Sequence, residues 1–312
     1  MWKRPQLTAF EAPSFYVLGA AKSGTTAVWS WLRTHPQVFL PEVKEPGYFA
    51  FAGGRAEPDV GHFDPDYTST ITTTPGAYQS LYEGSAGLVS GDVSPVYLAS
   101  PHAAERIHAA RPDARLVIIL RDPVKRAFSQ YCHHRRDGLD PITSFDDALA
   151  AEPDRAEAGW SWAHRYAELG DYASQIQRYT NRFPKAQILF LEFDQLRADP
   201  QSCWYALCRH IGVSVIPMPK NERVNMTAGL SGVPSRPAVT RLLTHPGLIQ
   251  KVLKSAVPKP ARTAIRRVIE GRPAEMPVLG DSVRRALSQR YVGQFPQIEA
   301  LTGLDCTHWE RP

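Results

Sequence analysis

Apolar residues fall into short unbroken runs that alternate with stretches of helical periodicity. Phe15-Tyr16-Val17-Leu18 is the first run and reads as a buried strand. It gives way to Gly19-Ala20-Ala21-Lys22-Ser23-Gly24-Thr25-Thr26. Val28, Trp31 and Leu32 then recur at helical spacing until His35-Pro36. Residues 41–90 are rich in Gly, Pro, Thr and aromatics, which predicts loops with one short helix over Ala77 to Leu81. Ser100-Pro101 reads as a helix start, Ala104, Ile107 and Ala110 continue one face, and Arg111-Pro112 ends it.

Leu116-Val117-Ile118-Ile119-Leu120 is the strongest strand signal, apolar on both faces as in a central parallel strand. Arg121-Asp122-Pro123 then opens a helix whose inner face carries Val124, Phe128 and Tyr131. Ser129 lies on another face, with Lys125, Arg126, His133 and Arg136 at helical spacing. Tyr172, Ile176, Tyr179 and Phe183 form a further amphipathic helix, and Ile188-Leu189-Phe190-Leu191 a further buried strand. Asp199-Pro200 caps a helix carrying Trp204, Leu207 and Ile211, with Gly212 at its end. Residues 214–278 are Pro-rich, with a basic cluster at Arg262, Arg266, Arg267 and Arg272, and a last helix is predicted over Asp281 to Tyr291.

Strands alternating with helices imply a parallel sheet with covering helices. The expected fold is α/β: a P-loop-like three-layer sandwich with a central parallel sheet. Residues 1–312 are read as one domain, with a core over about 14–213 and an extension over about 214–312 that covers substrate or cofactor.

Composition narrows the function only a little. The 312 residues are 43% hydrophobic and 21% charged, ordinary for a globular chain. No run is long and apolar enough for a membrane span. Thirty-six Lys and Arg against 31 Asp and Glu leave a net charge of +5 without a dense basic stripe. That disfavours nucleic acid as partner and suits a small polyanion. Cys132, Cys203, Cys208 and Cys306 form no Cys-x-x-Cys pair and are expected as buried, reduced thiols. Met1 to Pro13 lacks an apolar leader segment, and a cytoplasmic location is the expectation.

Two loops carry the candidate chemistry. A glycine-containing loop between a strand and a helix cradles phosphate, because its N–H groups converge and the helix N-terminus adds partial positive charge. Here Lys22 precedes Gly24 and Thr25-Thr26 follow it, so the lysine sits elsewhere than in the nucleotide loop G-x-x-x-x-G-K-[ST]. The second loop is Arg121-Asp122-Pro123, with Arg121 and Ser129 as candidate ligands of a second phosphate. Two anion sites at adjacent strand ends suggest a nucleotide with phosphates at both ends.

Residues Lys22-Ser23-Gly24-Thr25-Thr26 and Leu120 to Tyr131, about 100 residues apart, resemble the two cofactor motifs of the sulfotransferases that use 3′-phosphoadenosine 5′-phosphosulfate (PAPS). His35-Pro36-Gln37-Val38, Lys44-Glu45-Pro46-Gly47-Tyr48-Phe49, Gly91 to Leu98, and Leu301-Thr302-Gly303 with Trp309 look like the branch that sulfates heparan and other carbohydrates. The resemblance implies that Lys22, Ser23, Gly24, Thr25 and Thr26 bind the 5′-phosphosulfate. It makes Arg121 and Ser129 ligands of the 3′-phosphate, with 3′-phosphoadenosine 5′-phosphate (PAP) as product. Two departures stand out. Val93 occupies the place of a lysine that touches the acidic sugar, which argues against a heparan-like chain. The late Lys-Gly-Arg loop is missing in that form, and Asn225 to Arg236 stands in its place, with Arg236 as candidate ligand.

Sulfuryl transfer needs an acceptor hydroxyl or amine in line with the leaving phosphate, a cation at the leaving oxygen and a base. Lys22 takes the cation role and Glu45 that of the base, with Asp92 the runner-up. Tyr48, Phe49, Phe51 and Tyr97 are expected to wall an acceptor pocket together with Asp92. Arg126 and Arg135 are read as a solvated face, and His133 and His134 as helix-face residues. No metal is expected. The acceptor is a carbohydrate or small molecule, and oligomeric state is not legible. The alternatives are a kinase on a related nucleotide fold and a non-catalytic nucleotide-binding module.

Overall fold

A computed structural model describes residues 12–219 and 277–312. Its centre is a five-stranded parallel sheet: β1 (Phe15–Gly19), β2 (Val38–Phe39), β3 (Val89–Val93), β4 (Arg115–Leu120) and β5 (Ile188–Glu192), in the order β2-β3-β1-β4-β5. β1 and β4 are apolar on both faces because both faces are covered. Phe15 and Val17 point with Val117 and Ile119 into one core layer, closed by α1 (Thr25–Leu32) and α12 (Pro200–Ile211). Tyr16 and Leu18 point with Leu116, Ile118 and Leu120 into the other. That second layer holds α2 (Tyr48–Phe51), α4 (Pro75–Ser80), α5 (Val96–Ala99), α6 (Ala103–Ala110), α7 (Pro123–Asp137) and α10 (Tyr172–Thr180). α13 (Asp281–Val292) packs on α7, and α14 (Phe295–Thr302) on α10. The expected three-layer α/β architecture is therefore present.

The helix ends follow local chemistry. Asp122 caps α7, accepting from the N–H groups of Val124 and Lys125 ahead of Pro123, and Gly138 closes it at φ 71°. Asp199 caps α12 by accepting from the Ser202 N–H, with Gly212 in the left-handed region at its end. Among the described residues no helix is long and apolar enough to cross a membrane. All four cysteines are buried free thiols.

Several expectations need correction. Residues 41–90 hold more than one short helix: α2, α3 (Pro65–Thr70) and α4 all fall there, and β3 begins there. Asp64 and Thr74 cap α3 and α4, each followed by Pro at the first turn. β3 reads Val-Ser-Gly-Asp-Val, so its polar centre hides it from hydropathy. α6 begins at Ala103, because Ser100 first closes a turn by accepting the His102 N–H. α14 also escaped the apolar pattern. Arg126 is no surface residue: it is fully buried and donates to the Tyr166 carbonyl. Arg135 is half-buried and donates to the Asp140 carbonyl at 2.6 Å. His134 lies inside the core between Gln130 and Tyr166.

Gly91 pairs in register with Phe15, and a Cβ there would stand 2.0 Å from the Phe15 ring. Gly91→Ala is expected to lower unfolding free energy by about 1–3 kcal/mol through overpacking. Urea denaturation checks this; an unchanged midpoint would contradict the packing described.

Candidate active site

The loops following β1 and β4 finish side by side because these strands are parallel neighbours. The β1 loop contains Lys22, Ser23 and Gly24, and α1 starts at Thr25 with Thr26 in its first turn. Gly24 sits at φ 87°, where a Cβ would press on Leu196 at 2.9 Å, so a glycine is required. Being glycine, it supplies no side-chain cap to α1. The N-terminal end of that helix therefore keeps its donors and partial positive charge available for an anion. Ser23 is fully buried, and its hydroxyl has no hydrogen-bond partner. A buried hydroxyl without a partner costs about 1–3 kcal/mol, which an anion seated in the loop would recover.

Arg121 links the two loops. Its guanidinium donates to the Lys22 carbonyl at 3.0 Å and lies 4.6 Å over the Phe193 ring. The Tyr172 hydroxyl donates to the Arg121 carbonyl at 3.0 Å. Burial lowers the Arg121 pKa from its ordinary value. Ser129 is half-buried on α7, two turns past Arg121.

Lys22 is held with a left-handed backbone, φ 67°. Its pKa is lowered to about 8, first by burial and then by the nearby Arg136 charge, while Asp137 and Glu45 oppose the shift. Those neighbours sit on two other elements. Arg136, on α7, grips Asp137 with two bonds at 2.6 and 2.9 Å, and His133 lies 3.3 Å from the same carboxylate. Burial and the Lys22 charge push the His133 pKa down to about 3, so the ring is neutral.

Glu45 comes from the turn before α2 and is ion-paired with Lys44. Its φ is 59°. Among the described residues, Lys22 and Glu45 are the two non-glycine residues with positive φ. Such backbone costs about 1–3 kcal/mol and persists only where surrounding structure enforces it, a pattern concentrated at functional sites.

The remaining candidates divide. Tyr48, Phe49 and Tyr97 are buried in one aromatic cluster with Tyr16 and Tyr78. They belong to the core beneath the turn, so the expectation that they wall an open pocket is corrected. Phe51 is partly buried beside them. Asp92 is fully buried in β3 and cannot meet an acceptor. Val93 points into the core layer under α1. Arg236 lies outside the described residues. As contacts of Arg121, neither Phe193 nor Tyr172 is legible in the sequence, where Tyr172 reads only as a helix-face residue; the one available signal is their place near a strand end and at a helix start.

The sulfotransferase family profile matches residues 13–217. The chain belongs to the sulfotransferase family. A mouse heparan sulfate glucosamine 3-O-sulfotransferase 3B1 is 27% identical over 253 residues, covering 78% of this chain and 59% of that relative. A human bifunctional heparan sulfate N-deacetylase/N-sulfotransferase 3 is 29% identical over 68% of this chain and 24% of its own length. The chain thus spans 59% and 24% of the lengths of these two relatives. The crystal structure of a sulfotransferase from Alicyclobacillus acidocaldarius aligns with a TM-score of 0.72 at 26% identity, over 96% of this chain and 99% of that one. The family match covers both loops and the Glu45 turn.

The second loop depends on Asp122. Beyond capping α7, its other carboxylate oxygen accepts the Glu310 N–H at 2.7 Å, tying the C-terminal segment to the loop. Next door, Glu192 accepts from the Trp309 indole at 2.8 Å and pairs with His308 at 2.5 Å. Asp122→Ala removes the cap and strands the Glu310 N–H. A loss of about 1–3 kcal/mol in unfolding free energy is expected by chemical denaturation. A loss below a few tenths would show that the loop is held by other contacts.

Proposed function

We propose that the protein transfers a sulfuryl group from PAPS to a hydroxyl or amine of a carbohydrate or small-molecule acceptor. The observation that carries the reading is the enforced left-handed backbone at Lys22 and Glu45, the two residues assigned the cation and the base. Membership of the sulfotransferase family and relatives named for heparan sulfate glucosamine support the donor and a carbohydrate acceptor.

The residues present suit the donor. Ser23, Gly24, Thr25 and Thr26 would hold the 5′-phosphosulfate end, with the unpartnered Ser23 hydroxyl and the start of α1 available to it. Arg121 and Ser129 would hold the 3′-phosphate. PAPS supplies an activated sulfuryl group, whose bond to the 5′-phosphate oxygen breaks as the acceptor oxygen or nitrogen bonds to sulfur. Glu45 takes the proton from the acceptor. Lys22 neutralises the charge that collects on the departing phosphate oxygen, and desolvation around it strengthens that interaction. His133, being neutral, adds no competing charge.

Calorimetry tests the donor. PAP is expected to bind without metal, and Arg121→Ala to weaken PAP far more than adenosine 5′-phosphate. Binding of ATP with Mg²⁺ but not of PAP would overturn the reading in favour of a kinase.

Lys22 makes that binding pH-dependent. With its pKa lowered to about 8, the free protein holds Lys22 charged below that pH and neutral above it. An arriving phosphate favours the charged form and raises the pKa. PAP binding near pH 9 should therefore take up about one proton, with almost none at pH 7. Lys22→Ala should abolish the uptake. Uptake identical in that variant would remove Lys22 from the phosphate site.

A further inference from the structure

Burying a carboxylate is costly unless it is fully hydrogen-bonded. Asp92 meets that condition through three hydroxyls. Ser94 donates to it at 2.6 Å, Tyr97 at 2.7 Å and Tyr78 at 2.8 Å. Two of these donors also face the Glu45 turn. Ser94 Oγ accepts the Gly47 N–H at 3.1 Å, and the Tyr97 hydroxyl oxygen accepts the Phe49 N–H at 3.4 Å. The far side of the turn is held separately. The Thr72 N–H donates to the Pro46 carbonyl at 2.8 Å.

Each hydroxyl has one proton to give. Asp92 takes the protons of Ser94 and Tyr97, so their oxygens can offer only lone pairs to whatever else they touch. Backbone N–H groups are the matching partners, and the turn provides two of them. We propose that Asp92 is a positioning residue for Glu45, acting through Ser94 and Tyr97 to fix residues 45–49 in the conformation that presents the base. The inference rests on Glu45 as base. It also assigns Asp92 a role other than proton acceptor, since no acceptor hydroxyl reaches a fully buried side chain.

Ser94→Ala removes the acceptor of the Gly47 N–H and leaves both carboxylates in place. Asp92→Asn keeps the shape but turns one acceptor into a donor, so a hydroxyl must reverse. Turnover of PAPS would be followed with a glucosamine oligosaccharide as acceptor and with water alone, beside PAP affinity by calorimetry. Both variants should lose about 10-fold or more in kcat while PAP affinity stays within about 2-fold, which also certifies folding. The double variant Glu45→Gln with Ser94→Ala should be no slower than Glu45→Gln alone, because Ser94 acts only through Glu45. An unchanged kcat in Ser94→Ala, or losses that multiply in the double variant, would overturn the proposal. A wild-type rate in Glu45→Gln alone would be a different failure: it would remove the base assignment and the inference with it.

Discussion

Because β1 and β4 run side by side in the same direction, the loops that follow them end on one edge of the sheet, and the rest of the site depends on that parallel pairing. Val17 opposes Val117 and Gly19 opposes Ile118, a register that shifts by one just before the loop. The Lys22 carbonyl thereby comes within reach of the Arg121 guanidinium. A single hydrogen bond of this kind contributes about 1.5–3 kcal/mol when one partner is charged. Its larger consequence is geometric. It holds two cation-bearing loops at a set distance although each emerges from a different crossover.

The loops are brought together at an electrostatic cost. Lys22 and Arg121 are both withdrawn from water, and the pKa of each falls for that reason. Acidic groups relieve this only in part: Asp137 is already gripped by Arg136, and Glu45 by Lys44. With its two cations only partly compensated, the site gains most from an anion that touches both loops. The buried Ser23 hydroxyl adds to the same imbalance. The unfavourable terms of the free protein thus become the favourable terms of binding.

Legibility in the sequence followed the physics of each element. Phe15–Leu18 and Leu116–Leu120 could be read at once, because strands buried on both faces need unbroken apolar runs. Asp122-Pro123 and Asp199-Pro200 could be read because capping is local chemistry. β3 could not, since Ser90, Gly91 and Asp92 are polar or small and their burial is compensated by tyrosines on other elements. Arg126 failed for a related reason: a helical period gives the face of a residue but not what covers that face, and α13, far along the chain, covers α7. Motif resemblance brought out Lys22, Glu45, Arg121 and Ser129, yet it was silent on Phe193 and Tyr172, which matter only through the tertiary contacts they make with Arg121.

Backbone conformation separates the candidate base from its rival more sharply than residue type does. Glu45 and Asp92 are both carboxylates near the same turn. Asp92 has the profile of a structural group: it is fully enclosed, three hydroxyls satisfy it, and burial nonetheless pushes its pKa up to about 6. Glu45 has the opposite profile, partly exposed and carried on left-handed backbone. Gly47, two residues on, is also left-handed, at φ 62°, so the turn reverses sharply. An isolated segment would relax from this arrangement at a gain of about 1–3 kcal/mol. It is retained because Ser94 and Tyr97 hold it from the sheet side while Thr72 holds it from the other. The enclosed carboxylate and the presented one are therefore two ends of one hydrogen-bonded unit, and the stability of the first is what maintains the strained geometry of the second.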